Sequence, residues 1–233
     1  MKNILKLTMV LCVTGLLTSC DPPTPPAVAS APATNSRQVG ALDSVLTRRN
    51  FYVVFDGSGS MGASECCNPS RKIDVAKSAV IAFAKLLGKD DNIGLYVFDN
   101  YNTSERVSLA RVSINAAAFE MAVNGIKEGG GTPLYGSVRQ AFASLSEQMK
   151  RQLGYGEYHI VIVTDGAAGD SEEGVIGQIL ASPTPIVIHT IGLCIGAGHS
   201  LNQPGKMYYT DGRSTETLQK GLSQVLAESE KFK

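Results

Sequence analysis

Short, continuously apolar runs that recur between amphipathic stretches constrain the fold of this chain more than any other feature. Phe51-Tyr52-Val53-Val54-Phe55 is the clearest run. Five large apolar residues without alternation suit a strand buried on both faces. Ile93 to Phe98, His159 to Thr164 and Ile186 to Ile191 read the same way. Between them lie segments with helical spacing. In Arg71 to Leu87, residues Ile73, Ala76, Val80, Phe83 and Leu87 fall on one stripe, and Gly88 ends it. Asn115 to Ile126, Pro133 to about Gln152, Val175 to Leu180 and Thr215 to Glu228 complete the expected helices, with Pro133 suited to a first turn. Arg106 to Leu109 is a short, polar strand suited to an edge, and Met207 to Thr210 a weak one. This alternation predicts a doubly wound α/β fold, a mostly parallel six-stranded sheet covered by helices on both faces.

The N-terminal fifth of the sequence has a different character. Met1 to Lys6 carries two lysines, and Leu7 to Leu17 is mostly apolar. About eleven residues are too few for a spanning helix, which needs about 20. The segment reads as a secretory signal over residues 1–19. Its end, Leu17-Thr18-Ser19-Cys20, resembles the lipobox of bacterial lipoproteins, which implies cleavage before Cys20 and acylation of that cysteine. Asp21 resembles a signal for retention at the inner membrane, but the leaflet stays open. Residues 20–48 are expected to form a tether. Half of the ten prolines lie there, with few large apolar residues to bury. About 20 residues near polyproline spacing reach on the order of 60 Å. The domain is then expected over residues 49–230, lipid-anchored to the bacterial cell envelope and facing the extracytoplasmic side.

Charge excludes one large class of partner. Lys and Arg number 21, as do Asp and Glu, and loss of Lys2 and Lys6 with the signal leaves a slightly acidic chain. A nucleic-acid binder needs a cationic surplus to neutralise phosphates, so none is expected.

Ligands of open α/β sheets bind at the carboxyl ends of the strands. Asp56-Gly57-Ser58-Gly59-Ser60 follows the first strand, and Thr164-Asp165-Gly166 follows the third buried one. Gly129-Gly130-Gly131-Thr132-Pro133 leads into a helix between them. Two carboxylates and several small hydroxyls could thus reach one rim. Hard divalent cations prefer oxygen ligands, and Mg²⁺ takes six at about 2.1 Å. An ion held by neutral hydroxyls keeps most of its charge and seeks an anionic oxygen from outside.

This set resembles the metal-ion-dependent adhesion site of von Willebrand factor type A domains. The family pattern, Asp-x-Ser-x-Ser, then a distant Thr, then an Asp after the fourth strand, is matched by Asp56, Ser58, Ser60, Thr132 and Asp165. The resemblance runs from about Asn50 to Leu226. It implies that Ser58, Ser60 and Thr132 contact Mg²⁺ (or Mn²⁺ or Ca²⁺), with Asp56 and Asp165 acting largely through water. The implied function is adhesive and non-enzymatic: a partner protein supplies an Asp or Glu to the ion. A metal-independent scaffold subunit and a metal-assisted hydrolase are the alternatives.

Gly57-Ser58-Gly59-Ser60-Met61-Gly62 also fits the dinucleotide fingerprint G-x-G-x-x-G. That motif should open a helix at once and meet an acid about 20 positions on. Here Pro69 intervenes before the helix, and Asp99 comes much later, so no nucleotide is expected. A haloacid-dehalogenase phosphatase would want a second Asp where Ser58 stands.

If the family's strand order holds, Cys194 lies on the same rim as Cys66 and Cys67, and a disulfide from one of that pair to Cys194 is expected. Three free thiols, or a thiolate metal site with His199, are the other readings. His159 and His189 read as core histidines. Tyr155, Tyr158, Tyr208 and Tyr209 read as strand-flanking packing, and Asp90-Asp91 as a solvated turn.

Overall fold

The computed structural model describes residues 42–230, apart from 68, 172–173 and 197. The signal segment, Cys20 and most of the tether lie outside the described residues. Six strands run β1 Arg49–Gly57, β2 Asn92–Asp99, β3 Asn102–Arg111, β4 Glu157–Thr164, β5 Ile186–Leu193 and β6 Tyr208–Gly212. Five α-helices are interleaved: α1 Lys72–Leu86, α2 Val112–Asn124, α3 Leu134–Arg151, α4 Val175–Leu180 and α5 Thr215–Glu230. The strands form one sheet in the order β3-β2-β1-β4-β5-β6. Only β3 is antiparallel, paired to β2 through a tight hairpin. This is the expected doubly wound α/β sheet.

β1 is central, flanked by β2 and β4, which is why it reads as an unbroken apolar run. Phe51, Val53 and Phe55 face α1, α2 and α5, where Ile73, Phe83, Phe119, Leu218 and Leu222 close over them. Tyr52 and Val54 face α3 and α4, against Leu134, Val138, Leu145, Val175 and Ile179. Each such side chain contributes about 2 kcal/mol of burial. β3 is longer than the Arg106–Leu109 stretch expected. An edge strand with one solvated face carries little apolar signal, and within β3 only Val107 is buried.

Two polar segments depart from expectation. Asp43, placed in the tether by sequence, is fastened to the C-terminal end of α3. Its N–H donates to the Arg151 carbonyl at 2.8 Å, and its carboxylate accepts from Gln148 Nε2 at 2.9 Å. Arg48 is buried beside it. Asp43 and Arg48 therefore tie this segment to the domain through polar contacts, which composition could not reveal. Of the Asp90-Asp91 pair only Asp90 is exposed. Asp91 is buried, where its carboxylate accepts from the Gly88 N–H at 2.7 Å and from Arg49 Nε at 2.9 Å.

His159 stacks on Phe51 with ring centroids 4.7 Å apart and meets His189 through its Nδ1 at 3.3 Å. Burial holds its pKa down to about 3, so it is neutral in the fold. Tyr158 is fully buried, whereas Tyr155 is 67% exposed. Among the described residues no helix is long and apolar enough to cross a membrane.

Candidate metal centre

Parallel pairing of β1 with β4 puts the ends of both strands side by side: Phe55 is in register with Val163. The next residue along β1 is Asp56, and the next along β4 is Thr164, followed by Asp165. A hydrogen bond closes the pair, with Thr164 Oγ1 donating to Asp56 Oδ2 at 2.5 Å. The other oxygen, Asp56 Oδ1, accepts the Ser58 N–H at 2.7 Å, which turns the chain sharply out of β1. Both Ser58 and Ser60 then project over the strand ends, with their hydroxyl oxygens 3.1 Å apart. Ser60 Oγ donates to Asp165 Oδ1 at 2.7 Å.

Thr132 arrives on the loop between α2 and α3, which is stitched down by backbone bonds. Gly129 N–H donates to the Gly57 carbonyl at 2.9 Å, and Gly59 N–H to the Gly130 carbonyl at 3.1 Å. The Thr132 carbonyl accepts from Gly169 N–H at 2.7 Å, which ties it to the loop after β4. A methyl group built on Gly166 would sit 4.0 Å from Ser60 Oγ and 4.0 Å from Thr132 Oγ1. The two hydroxyls are therefore at most twice that distance apart, across a gap kept open by a glycine. Gly130 has φ +83°, and a Cβ there would meet the Tyr101 nitrogen at 2.8 Å. Only glycine lets this loop lie against the β2–β3 hairpin.

All five residues anticipated from sequence thus gather at one rim. Asp56, Ser58 and Asp165 are buried and form the floor. Ser60 is exposed and Thr132 half-buried, at the mouth. Burial raises the Asp56 pKa to about 6, against the lowering pull of its bonds from Ser58 and Thr164.

The donor set fits a small hard cation. Two oxygens that occupy adjacent corners of an octahedron of radius about 2.1 Å lie about 3.0 Å apart. The Ser58–Ser60 spacing matches that edge. The Ser60 proton is committed to Asp165, so Ser58 is the donor across the 3.1 Å contact between the two hydroxyls. The Ser58 lone pairs are then left for the space between the two loops.

Three residues at the site carry no assigned role in the sequence reading. Lys72, first in α1, donates from Nζ to Asp165 Oδ2 at 2.9 Å and pairs with Glu65 at 3.2 Å. Its signal was a charged residue at the head of the buried stripe Lys72, Val75, Ala76, Ala79. Thr164 is the last residue of a strand, where a polar side chain can face the rim. Asp170 accepts from the Tyr135 and Gly136 N–H groups at 3.1 and 2.7 Å, binding the loop after β4 to the start of α3.

The loop after Ser60 is fixed by a disulfide from Cys66 to Cys194, with Cα atoms 6.2 Å apart. Cys67 is a buried free thiol, its sulfur 4.0 Å from that of Cys194. His199 lies apart from the sulfurs, bonded to the Gly166 carbonyl at 2.8 Å.

The family model for the von Willebrand factor type A domain matches residues 51–167. The uncharacterized protein YwmD of Bacillus subtilis strain 168 is 29% identical over 156 residues, 61% of this chain and 67% of that protein. A von Willebrand factor type A structure from Catenulispora acidiphila superposes with a TM-score of 0.61 at 17% identity, over 78% of this chain and 43% of that one. The pilus adhesin SpaC from Lactobacillus rhamnosus GG gives 0.61 at 16% identity, over 81% of this chain and 31% of its own. This chain spans less than half of either solved structure, and at these identities the likeness is one of fold.

Proposed function

The chain belongs to the von Willebrand factor type A domain family, and from that premise we propose that it is a binding module that engages a partner protein through a divalent cation. Ser58, Ser60 and Thr132 would hold the ion, and Asp56 and Asp165 would support it through hydrogen bonds and water. A carboxylate of the partner would complete the shell. The observation that carries this reading is the 3.1 Å edge between the Ser58 and Ser60 hydroxyls, set above carboxylates whose four oxygens already accept bonds from protein groups. Direct ligation then falls to neutral hydroxyls, and the ion keeps charge for an anion outside. Mg²⁺ suits the tight spacing, with Mn²⁺ close behind it and Ca²⁺, which prefers longer bonds, less favoured. SpaC, a pilus adhesin with this fold, agrees with this kind of role.

Attachment to the bacterial envelope through lipid on Cys20 belongs to the same proposal. Residues 21–41 would then serve as the spacer that carries the domain off the bilayer. Labelling cells with a palmitate analogue tests it: the wild-type protein takes label, and C20A does not.

Calorimetry with MgCl₂ tests the site. The wild-type protein is expected to bind, and a D56A/S58A double variant to bind at least about tenfold more weakly. Equal binding by both proteins refutes the metal site. If partner capture from solubilised membranes is indifferent to EDTA, the metal-independent scaffold reading replaces this one.

A further inference from the structure

We infer that Lys72 is a built-in counter-cation of the metal centre, which weakens capture of the bare ion and makes tight binding depend on an outside anion. The inference rests on the metal reading above and deepens it.

A lysine is among the side chains least often buried, because its ammonium gives up strong hydration. The Lys72 side chain is nevertheless only 8% exposed, turned inward from the first turn of α1. Its Nζ meets Asp165, whose side chain is fully buried, at 2.9 Å. Its second partner, Glu65, is 78% exposed, so solvent screens that pairing and Asp165 is the principal one. The preceding chain is held in place by the Cys66–Cys194 bond and by Lys72 N–H donating to the Ala63 carbonyl at 2.8 Å.

Two consequences follow from charge and geometry. Lys72 occupies Asp165 Oδ2 while Ser60 occupies Oδ1, so this carboxylate is kept from turning a free oxygen toward the ion. Two carboxylates alone would neutralise a divalent cation. With the ammonium present the buried groups and the ion together keep one positive charge, Glu65 lying out in solvent where its charge is screened. A partner carboxylate discharges it. Metal and anion then bind with positive coupling, and each raises the affinity for the other by the same factor. A single and a double charge about 6 Å apart repel, even at the dielectric of water, by enough to change a binding constant about tenfold.

A lysine that merely braced Asp165 would act in the opposite direction, because its loss would loosen the site and weaken metal binding. The test is calorimetry of MgCl₂ into the full-length protein at pH 7.5, with and without sodium acetate as a carboxylate probe. K72M is expected to bind Mg²⁺ about tenfold more tightly than wild type, and K72R within about threefold of it. Acetate should raise the Mg²⁺ affinity of wild type more than that of K72M. K72Q can still donate to Asp165 without charge, and it carries the same expectation if K72M does not fold. Wild-type binding with no tightening in whichever of K72M and K72Q folds overturns the inference and leaves the metal site standing. No binding by wild type overturns both.

Discussion

Replacing Asp56 by Asn should make the metal-free protein more stable at neutral pH. The carboxyl is fully buried, and its pKa stands at about 6 against an ordinary 3.8. The folded state therefore holds this proton more tightly than the unfolded chain does. Its contribution to stability is fully present below pH 3.8 and is lost as the pH rises through about 6. At pH 7.5 the ionised group costs about 3 kcal/mol, at about 1.4 kcal/mol per unit. Asn removes that cost. Its Oδ1 still accepts the Ser58 N–H, while the bond from Thr164 is weakened by about 1 kcal/mol. The net expectation for D56N in EDTA is a gain of about 2 kcal/mol at pH 7.5, fading to a small loss at pH 4. Urea unfolding of both proteins across that range measures it. Added Mg²⁺ should stabilise the wild type and leave D56N where it was. A D56N protein less stable than wild type by the same margin at pH 4 and pH 7.5 would refute the reasoning, since the penalty assigned to the buried charge would not exist.

Three further outcomes are expected. C194A should lose about 2–5 kcal/mol of stability, whereas C66A should lose little, because Cys67 lies 4.0 Å from Cys194 and closes a loop of nearly the same size; peptide mapping of C66A should find Cys67 joined to Cys194. His159 is neutral in the fold down to about pH 3 but takes a proton near pH 6.5 once unfolded, so stability present above pH 6.5 falls away on acidification. The stability difference between wild type and H159F should therefore shift by about 3 kcal/mol against wild type between pH 7 and pH 4.5 in urea titrations. Tyr101 has φ +62° and is 90% exposed, so Y101G should raise the unfolding free energy by about 1 kcal/mol through relief of backbone strain.

The sheet was legible because β1, β2, β4 and β5 are buried on both faces and leave no polar alternation to confuse the pattern. The Asp56, Ser58 and Ser60 cluster was legible because one loop carries all three, at a spacing that a strand end presents together. What stayed hidden was polar and distant in sequence. Lys72 and Asp165 are 93 positions apart, and nothing about a lysine opening a helix announces a buried carboxylate as its partner. Asp43 and Gln148 are 105 apart, and their bond moves the start of the packed chain into a segment whose composition reads as linker. Asp91 looked like ordinary turn chemistry, yet its carboxylate is held by Arg49 at the start of β1. Apolar periodicity reports which face is buried, but it does not report which buried polar groups will find each other.

The chain enters the domain at Asp43, beside the end of α3 and the start of β1, while the serines lie past the far end of that strand. Nine residues of β1, about 30 Å, separate the two poles. A pull between a captured partner and the N-terminal side would run lengthwise along the middle strand. The ladders to β2 and β4 would then be loaded in shear, all their hydrogen bonds together, instead of being unzipped one at a time.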